Sequence, residues 1–552
     1  MLDFLSFVND TLYDGLPYAL ICLSFVLTAK YIRFPDVTCT GSFVFGAAIS
    51  AVAIVRADMN PVLGIVLAGI GGVAAGALTG FFYTVLRLDR LLSGILSTFV
   101  LYSINIMLLT PTIAYGDHRT LFSWFEDHDR LILVGNLGWH PWVIGLLVLI
   151  VVGVKVGLDW FLQTEVGLAL RCLEDEQAGE YALERNGLAP ARFQILALCL
   201  GNAIVAMTGA LVSFKEGAAN AQRGFDILIT GLVAFLLGEQ LLRIVQRASR
   251  GSVLRPTTGA IWGGLAYFGL MTLSQRLNVA SEFTKIALVG LVALSGAPGL
   301  HLLAGLLRRD KPRPHVAGTG SLLQVEGLSF RYASADKDSL QELSFAVHPG
   351  QVVQLAGANG VGKTTALRVV AGFLDAQERG HILFHGLDLT RDRHGRLQRI
   401  AYVDQSADRG VVSCLTTQEN LALSAMGSRP SAWRGALRPG TAAHITGVVD
   451  RSPFGPDVLC RRADQLSGGQ RQVLNLLTIL AKRRVPEVVL LDEPTNNLDA
   501  ENTERCRRII RTLHEDGAAI VIVSHSRLDG IAIDRVVEVN GGLVIGAGRS
   551  ES

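Results

Sequence analysis

Apolar residues follow two different rhythms along the chain. From about Gly15 to Leu307 they form long runs, each sufficient for roughly 20 residues of membrane helix. From Ser321 onward the runs shorten and charged turns separate them. Hydropathy predicts about nine spans. They centre on residues 15–31, 40–56, 62–86, 91–110, 142–161, 193–213, 225–242, 257–274 and 284–306. The fourth and seventh have the least defined ends, and one span could be re-entrant. Between the two rhythms stands Arg308-Arg309-Asp310-Lys311-Pro312-Arg313-Pro314-His315, then a Gly/Thr/Ser stretch to Ser321. This is a basic, Pro-broken linker. The pattern predicts an N-terminal all-α polytopic membrane domain over 1–307, a linker over 308–320 and an α/β domain over 321–552.

Charge sets the expected topology. Lys30 and Arg33, Arg87 and Arg90, Arg171 to Arg192, Arg243 to Arg255 and Arg308 to Arg313 fall on one side when the spans alternate. Basic short loops mark the cytoplasmic side, so the soluble part is expected inside and the amino terminus outside. The loop from Thr112 to Pro141 then lies outside, with Trp124, Trp139 and Trp142 as interface anchors. Asp3, Asp10 and Asp14 stand where a secretion signal would carry basic residues, and no small-residue cleavage site follows.

Three local patterns interrupt the simple spans. Gly64, Ala68, Gly72, Gly76 and Gly80 recur every fourth residue, which leaves one helical face nearly bare for close helix packing. Phe34-Pro35-Asp36-Val37-Thr38-Cys39-Thr40-Gly41-Ser42 sets an acid, hydroxyls, Pro and Gly at the lip of an apolar run. It reads either as an interrupted helix of the transporter kind or as an ordinary capped helix start. The polar stretch from Glu165 to Pro190 reads as a charged amphipathic helix ended by Asn186-Gly187. It is either a solvated loop or, as expected with a soluble domain attached, a helix that docks on that domain.

Composition narrows the classes. Of 552 residues, 50% are hydrophobic and 18% charged, with mean hydropathy +0.38. Soluble domains hold nearer about 25% charged residues. A disordered chain and a single soluble globule are both excluded. The net charge of +2 gives no argument for nucleic acid as a partner. The 7 cysteines form no C-x-x-C pair and no disulfide framework.

The strongest chemical signal follows the strand-like run Gln351 to Ala356. Gly357-Ala358-Asn359-Gly360-Val361-Gly362-Lys363-Thr364-Thr365 is G-x-x-x-x-G-K-T entering a helix, the pattern of a phosphate-binding loop. Its backbone amides wrap phosphates, Lys363 reaches the β and γ phosphates and Thr364 ligates Mg²⁺. Val488 to Leu491 is an apolar strand ending in Asp492 and Glu493, the first placed for Mg²⁺ and the second to polarise an attacking water. Leu466-Ser467-Gly468-Gly469-Gln470 opens a second helix with an amide-lined N-terminus. His381 and His385 have helical ligand spacing, but their surroundings read as strand and turn.

This motif set resembles the ATPase cassette of ABC transporters over about Leu322 to Val544. The resemblance implies an α/β P-loop NTPase with a helical subdomain, using ATP and Mg²⁺. It implies that Tyr332 stacks on adenine and that Gln405 is the loop glutamine sensing Mg²⁺ and the membrane domain. It also implies that Asp499 lies in the loop facing a second cassette and that His525 contacts the γ-phosphate. The catalytic set is then Glu493, His525 and Gln405, the metal set Thr364, Gln405 and Asp492. The nucleotide contacts add Gly357, Asn359, Gly360, Gly362, Lys363 and Thr365, with Ser467, Gly468, Gly469 and Gln470 from the signature. Asp404 stands where Pro is usual, and Asn496-Asn497-Leu498-Asp499 where Ser-x-Leu-Asp is commoner. One cassette per chain implies a homodimer with two ATP sites at the interface.

The N-terminal half is similar to permeases of branched-chain amino acid importers. The similarity rests on Phe34 to Thr38, Gly41-Ser42, Leu92 to Leu96, Leu101 to Asn105, Glu165 to Arg171, Asn202 to Leu211 and Gly231 to Glu239. It implies a multi-pass protein of the bacterial inner membrane, with a cytoplasmic ATPase and an extracytoplasmic solute-binding protein as partner. The cargo is a small polar solute, an amino acid or a related metabolite. Asp36, Thr38, Ser42, Ser103 and Asn105 are the candidate substrate contacts. Glu165, Gly167, Arg171 and Glu174 belong to the coupling helix. An exporter is the alternative, although exporter chains usually have about six long spans with charged intracellular extensions. The stretch Thr495 to Asp499 resembles ABC-type translation factors, which carry two cassettes and no spans.

Overall fold

The computed structural model describes residues 2–110, 112–116, 118–123, 141–248, 255–277, 279, 284, 321–332, 338–358, 360–374, 379–427, 430–451, 454–455, 458–484, 486–496, 498–524, 532–540 and 543–548. Two compact units emerge: Met1–Leu162 with Ala191–Leu307, and Gln163–Pro190 with Arg308–Ser552. Trp124, Trp139, the linker and nearly all of the ninth predicted span lie outside the described residues.

The first unit is helical. Among the described residues, seven helices are long and apolar enough to cross a membrane: Leu5–Tyr31, Thr38–Arg56, Pro61–Thr84, Arg90–Leu109, Pro141–Phe161, Pro190–Glu216 and Ala221–Gln246. The eighth predicted span is the helix Pro256–Arg276, less apolar than these seven. The first helix starts at Leu2, well before the predicted Gly15. Its acids are accommodated by pairing, Asp10 with Arg276 at 2.8 Å and Asp14 with Lys215. The first two spans each end in a π-helical turn, Val26–Tyr31 and Val52–Arg56, for which the sequence carries no signal.

The ladder of small residues packs as its spacing implies. A Cβ on Gly72 would lie 2.3 Å from the Asn202 carbonyl oxygen, and one on Gly76 would lie 2.4 Å from that of Leu198. The helices Pro61–Thr84 and Pro190–Glu216 therefore touch backbone to backbone. In lipid, where apolar surface gives no net drive, such close dispersion contact holds helices together.

The second unit is built on a six-stranded sheet. Its order is Leu543–Gly548, Arg535–Asn540, Val352–Ala356, Ala519–Val523, Val488–Asp492 and Ile400–Val403. All neighbours are parallel except the first pair. The central strands are buried along their whole length, which explains their unbroken Val/Ile/Leu sequence. An antiparallel sheet of Leu340–Val347, Leu323–Phe330, His381–Phe384 and Leu387–Asp388 closes the same core. His381 is thus a strand residue, and its Nδ1 lies 2.8 Å from Asp388 Oδ2.

The polar stretch after Gln163 corrects one expectation. It forms two helices, Glu165–Cys172 and Glu176–Arg185. Asp175 breaks it, because its side chain accepts from the Ala178 amide at 3.2 Å and starts a new helix. The predicted Asn186-Gly187 stop is present, with Gly187 at φ +74°.

Candidate functional site

Four site segments leave the carboxyl ends of neighbouring parallel strands, where ligands of open α/β sheets gather. Val352–Ala356 runs into the phosphate loop, and Val488–Asp492 ends on the candidate metal carboxylate. Ile400–Val403 precedes Asp404 and Gln405, and Ala519–Val523 precedes Ser524. His525 lies outside the described residues, as does Asn359.

Backbone conformation explains the loop glycines. Gly357 has φ +148°, and a Cβ there would lie 2.3 Å from the Val539 carbonyl oxygen. Gly362 has φ +99° and would meet the Ser339 carbonyl oxygen at 2.4 Å. Any side chain at either position would push the loop off its strand. Gly360 also has positive φ, in open space. Lys363 starts the helix Lys363–Ala371, and its Nζ donates to the carbonyl oxygens of Gly357 and Ala358 at 2.7 and 2.8 Å. The ammonium is thereby held inside the curl of the loop.

Thr364 and Asp492 meet. The Thr364 hydroxyl donates to Asp492 Oδ1 at 3.1 Å, and the Tyr402 hydroxyl donates to Oδ2 at 3.2 Å. Asp492 is fully buried, and burial raises its pKa above the ordinary value despite these donors. A buried carboxylate beside a hydroxyl offers hard oxygen ligands and a charge deficit, which fits Mg²⁺ held jointly with nucleotide phosphates. Among the described residues, no cluster of three or more His, Cys, Asp or Glu side chains is arranged to hold a metal by itself.

Glu493 has φ +45°, a left-handed conformation costly for a residue with a Cβ. Its amide donates to the Val523 carbonyl oxygen at 2.9 Å, which anchors the strained residue. Its Oε2 accepts from Gln405 Nε2 at 2.9 Å and from Asn496 Nδ2 at 2.7 Å. Strain of this kind collects where a side chain must be aimed. Motif reading placed Asn496 in the loop before Asp499 and did not pair it with Glu493. Its position in the turn three residues beyond Glu493 was the available signal.

The remaining nucleotide candidates sit around this centre in separate groups. Tyr332 lies edge-on to Phe330 at 5.0 Å, with its hydroxyl 3.3 Å from Thr365 Oγ1. Ser467 and Gln470 form a reciprocal capping box on the helix Gly468–Leu480. A Cβ on Gly469 would meet Asn502 Nδ2 at 2.6 Å, whereas one on Gly468 would meet open space. Asp499 caps the helix Ala500–Glu515 through the Asn502 amide at 2.7 Å.

The Glu165–Cys172 and Glu176–Arg185 helices are seated within the same unit as this site. Glu165 accepts from the Ser431 amide at 2.8 Å, and Arg171 pairs with Glu419 at 2.7 Å. The Gly167 amide donates to Thr164 Oγ1 at 3.1 Å, and the Glu174 amide to the Arg171 carbonyl at 3.2 Å. Arg185 is buried against the Gly468–Leu480 helix, a contact that motif reading did not anticipate.

In the first unit, four of the five candidate substrate contacts are buried. Asp36 Oδ2 accepts from Asn202 Nδ2 at 2.7 Å, and Asn202 Oδ1 accepts from the Ser42 hydroxyl at 2.6 Å. Thr38 joins Thr79 at 2.8 Å, and Asn105 donates to the Gly41 carbonyl at 3.1 Å. The Asp36 carboxylate also accepts the Thr38 amide at 3.0 Å, in the turn just before the helix that Thr38 starts. Ser103 stands apart: it is exposed and donates back to the Phe99 carbonyl of its own helix. Asn202 ties Asp36 to Ser42.

Comparison with known proteins gives the following. A family model described as the permease component of branched-chain amino acid transport systems matches residues 7–295. A second, described as ABC transporter, matches residues 340–496. The sulfate/thiosulfate import ATP-binding protein CysA of Bordetella bronchiseptica is 36% identical over 228 residues, 40% of this chain and 60% of that protein. The macrolide export ATP-binding/permease protein MacB of Azoarcus sp. is 28% identical over 248 residues, 43% of this chain and 36% of that protein. The chain thus spans at most about 60% of the length of these curated relatives. The crystal structure of a nucleotide-free ATP-binding cassette from an ABC transporter is 23% identical. It covers 42% of this chain and 92% of its own, with a TM-score of 0.36.

Proposed function

The chain belongs to the branched-chain amino acid permease family and is an ABC transporter with permease and P-loop ATPase fused, and on that premise we propose that it is half of an ATP-driven importer. Two copies close two ATP sites between their cassettes, each phosphate loop facing the other copy's Ser467–Gln470. The cassettes lie in the cytoplasm of a bacterium and the helices in its inner membrane. The cargo is a small polar solute, an amino acid or related metabolite, delivered by an extracytoplasmic binding protein.

The observation that supports ATP-driven transport is the seating of Gln163–Pro190 in the ATPase unit, and import is supported by the permease family match over residues 7–295. This segment is continuous in sequence with an apolar helix on each side, so force on the cassette reaches the permease through the backbone. In the ATPase, the loop amides and Lys363 bind phosphates. Thr364 and Asp492 would hold Mg²⁺, which neutralises phosphate charge when bound. Glu493 takes a proton from the attacking water, and Gln405 and Asn496 hold its carboxylate in place. His525 completes the set toward the γ-phosphate.

The test is reconstitution in nanodiscs with candidate extracytoplasmic binding proteins and amino acids. A binding protein that stimulates ATP hydrolysis in the presence of its ligand supports import. No stimulation by any partner, with ATP-dependent movement of solute out of the cytoplasmic side, replaces it with export.

A further inference from the structure

An aromatic chain runs from the coupling segment to the candidate metal carboxylate without passing through Gln405. Tyr181, on the Glu176–Arg185 helix, stacks on Phe373 with ring centres 4.3 Å apart and 17° between the planes. Phe373 lies against Tyr402 at 5.5 Å and 45°. The Tyr402 hydroxyl donates to Asp492 Oδ2 at 3.2 Å and accepts from Arg368 Nε at 3.4 Å. Arg368 in turn holds the buried carboxylate of Asp404 at 2.9 Å. The Tyr181 hydroxyl is buried and makes no hydrogen bond among the described residues, so its ring alone carries the contact.

We propose that Tyr402 is a positioning residue for Asp492, and that Tyr181 and Phe373 set the Tyr402 ring. Displacement of the coupling segment then turns the carboxylate that takes the divalent cation. Packed rings transmit such a shift because a dense core has few intermediate arrangements. The proposal rests on reading Asp492 as a metal ligand.

The test uses the full chain in nanodiscs with Glu493→Gln as the parent, so that turnover does not intervene. Mn²⁺ binding to the ATP-loaded protein is followed by electron paramagnetic resonance, alongside ATP binding without divalent cation. Tyr402→Phe keeps the ring and deletes two hydrogen bonds, the one given to Asp492 and the one taken from Arg368. It should weaken Mn²⁺ binding about tenfold and leave metal-free ATP binding unchanged. Tyr181→Ala should weaken Mn²⁺ binding in the same direction, whereas Tyr181→Phe keeps the parent value. Tyr181→Leu repeats the test if the Ala variant fails to fold. Tyr181→Ala combined with Tyr402→Phe should be no weaker than Tyr402→Phe alone. Mn²⁺ affinity of Tyr402→Phe within about twofold of the parent overturns the proposal, as does full additivity of the pair. Asp492→Asn is the separate control: if it leaves Mn²⁺ affinity intact, the metal assignment itself fails.

Discussion

Arg185 offers the most demanding test of the docked segment. Its side chain is 2% exposed. Nη1 donates to Asn475 Oδ1 at 2.8 Å, and Nη2 donates to Thr478 Oγ1 at 2.6 Å and to the Gly410 carbonyl oxygen at 3.2 Å. Asn475 and Thr478 lie on the Gly468–Leu480 helix that Ser467 caps, and Gly410 ends the Ala407–Gly410 turn that follows Gln405. One guanidinium therefore fastens the helix behind the signature to the turn behind the glutamine loop. Arg185→Met keeps most of the stem and removes the donors, leaving Asn475 Oδ1 and the Gly410 carbonyl without them. Each buried group so orphaned costs about 1–3 kcal/mol. The opposing effect is relief of a buried cation, whose Nε has no partner among the described residues and whose pKa burial lowers. The net loss is then about 1–3 kcal/mol, which lowers the unfolding midpoint of a unit of this size by roughly 2–5 °C. Differential scanning fluorimetry of the solubilised chain reads that shift. Transport per ATP hydrolysed in proteoliposomes should fall more than the hydrolysis rate, because the nucleotide contacts are untouched. Asn475→Ala should add little on top of Arg185→Met, since the two share one bond. An Arg185→Met protein with an unchanged midpoint and unchanged transport per ATP would refute the argument.

Two further outcomes follow from other contacts. Gly76→Val places atoms against the Leu198 backbone and should lower the solubilised chain's midpoint sharply, whereas Gly145→Ala, with nothing within 4 Å, should leave it unchanged; equal midpoints would mean that the two helices are not in contact. Glu419 is raised by burial but brought below its ordinary 4.5 by Arg171, so their pairing should stabilise fully above that pH and fade as pH falls through the lower folded value. Arg171→Met should flatten that acid-side loss in an unfolding series from about pH 6 to about pH 3, and an unchanged slope would remove the pair from the docking account.

What could be read in advance divides by distance along the chain. The phosphate loop, the signature and the Asp492-Glu493 strand end were legible because each is a short run of neighbouring residues whose local geometry is the function. The small-residue ladder was legible for the same reason, although its partner was not: the face of Gly72 and Gly76 says that something comes close, not that Asn202 and Leu198 do. Where a site needs residues far apart, single-residue types mislead. Ser103 and Ser42 look alike in sequence, yet only Ser42 reaches Asn202, which in turn holds Asp36. The polar segment after Gln163 was drawn as one helix and is two, because Asp175 looks like one more acid until its carboxylate is seen to cap the second helix. The same logic changes the meaning of Asp404. In a line of residues it is a mild departure beside the glutamine loop. In space it is a buried charge, 3% exposed, and a buried carboxylate is stable only with a partner. Its partners are Arg368, at 2.9 Å on the helix that the phosphate loop begins, and Arg409 at 3.5 Å. A substitution at either position therefore disturbs Tyr402, which touches Arg368 on one side and Asp492 on the other. The departure from the common motif and the hydroxyl that aims Asp492 belong to one hydrogen-bonded chain.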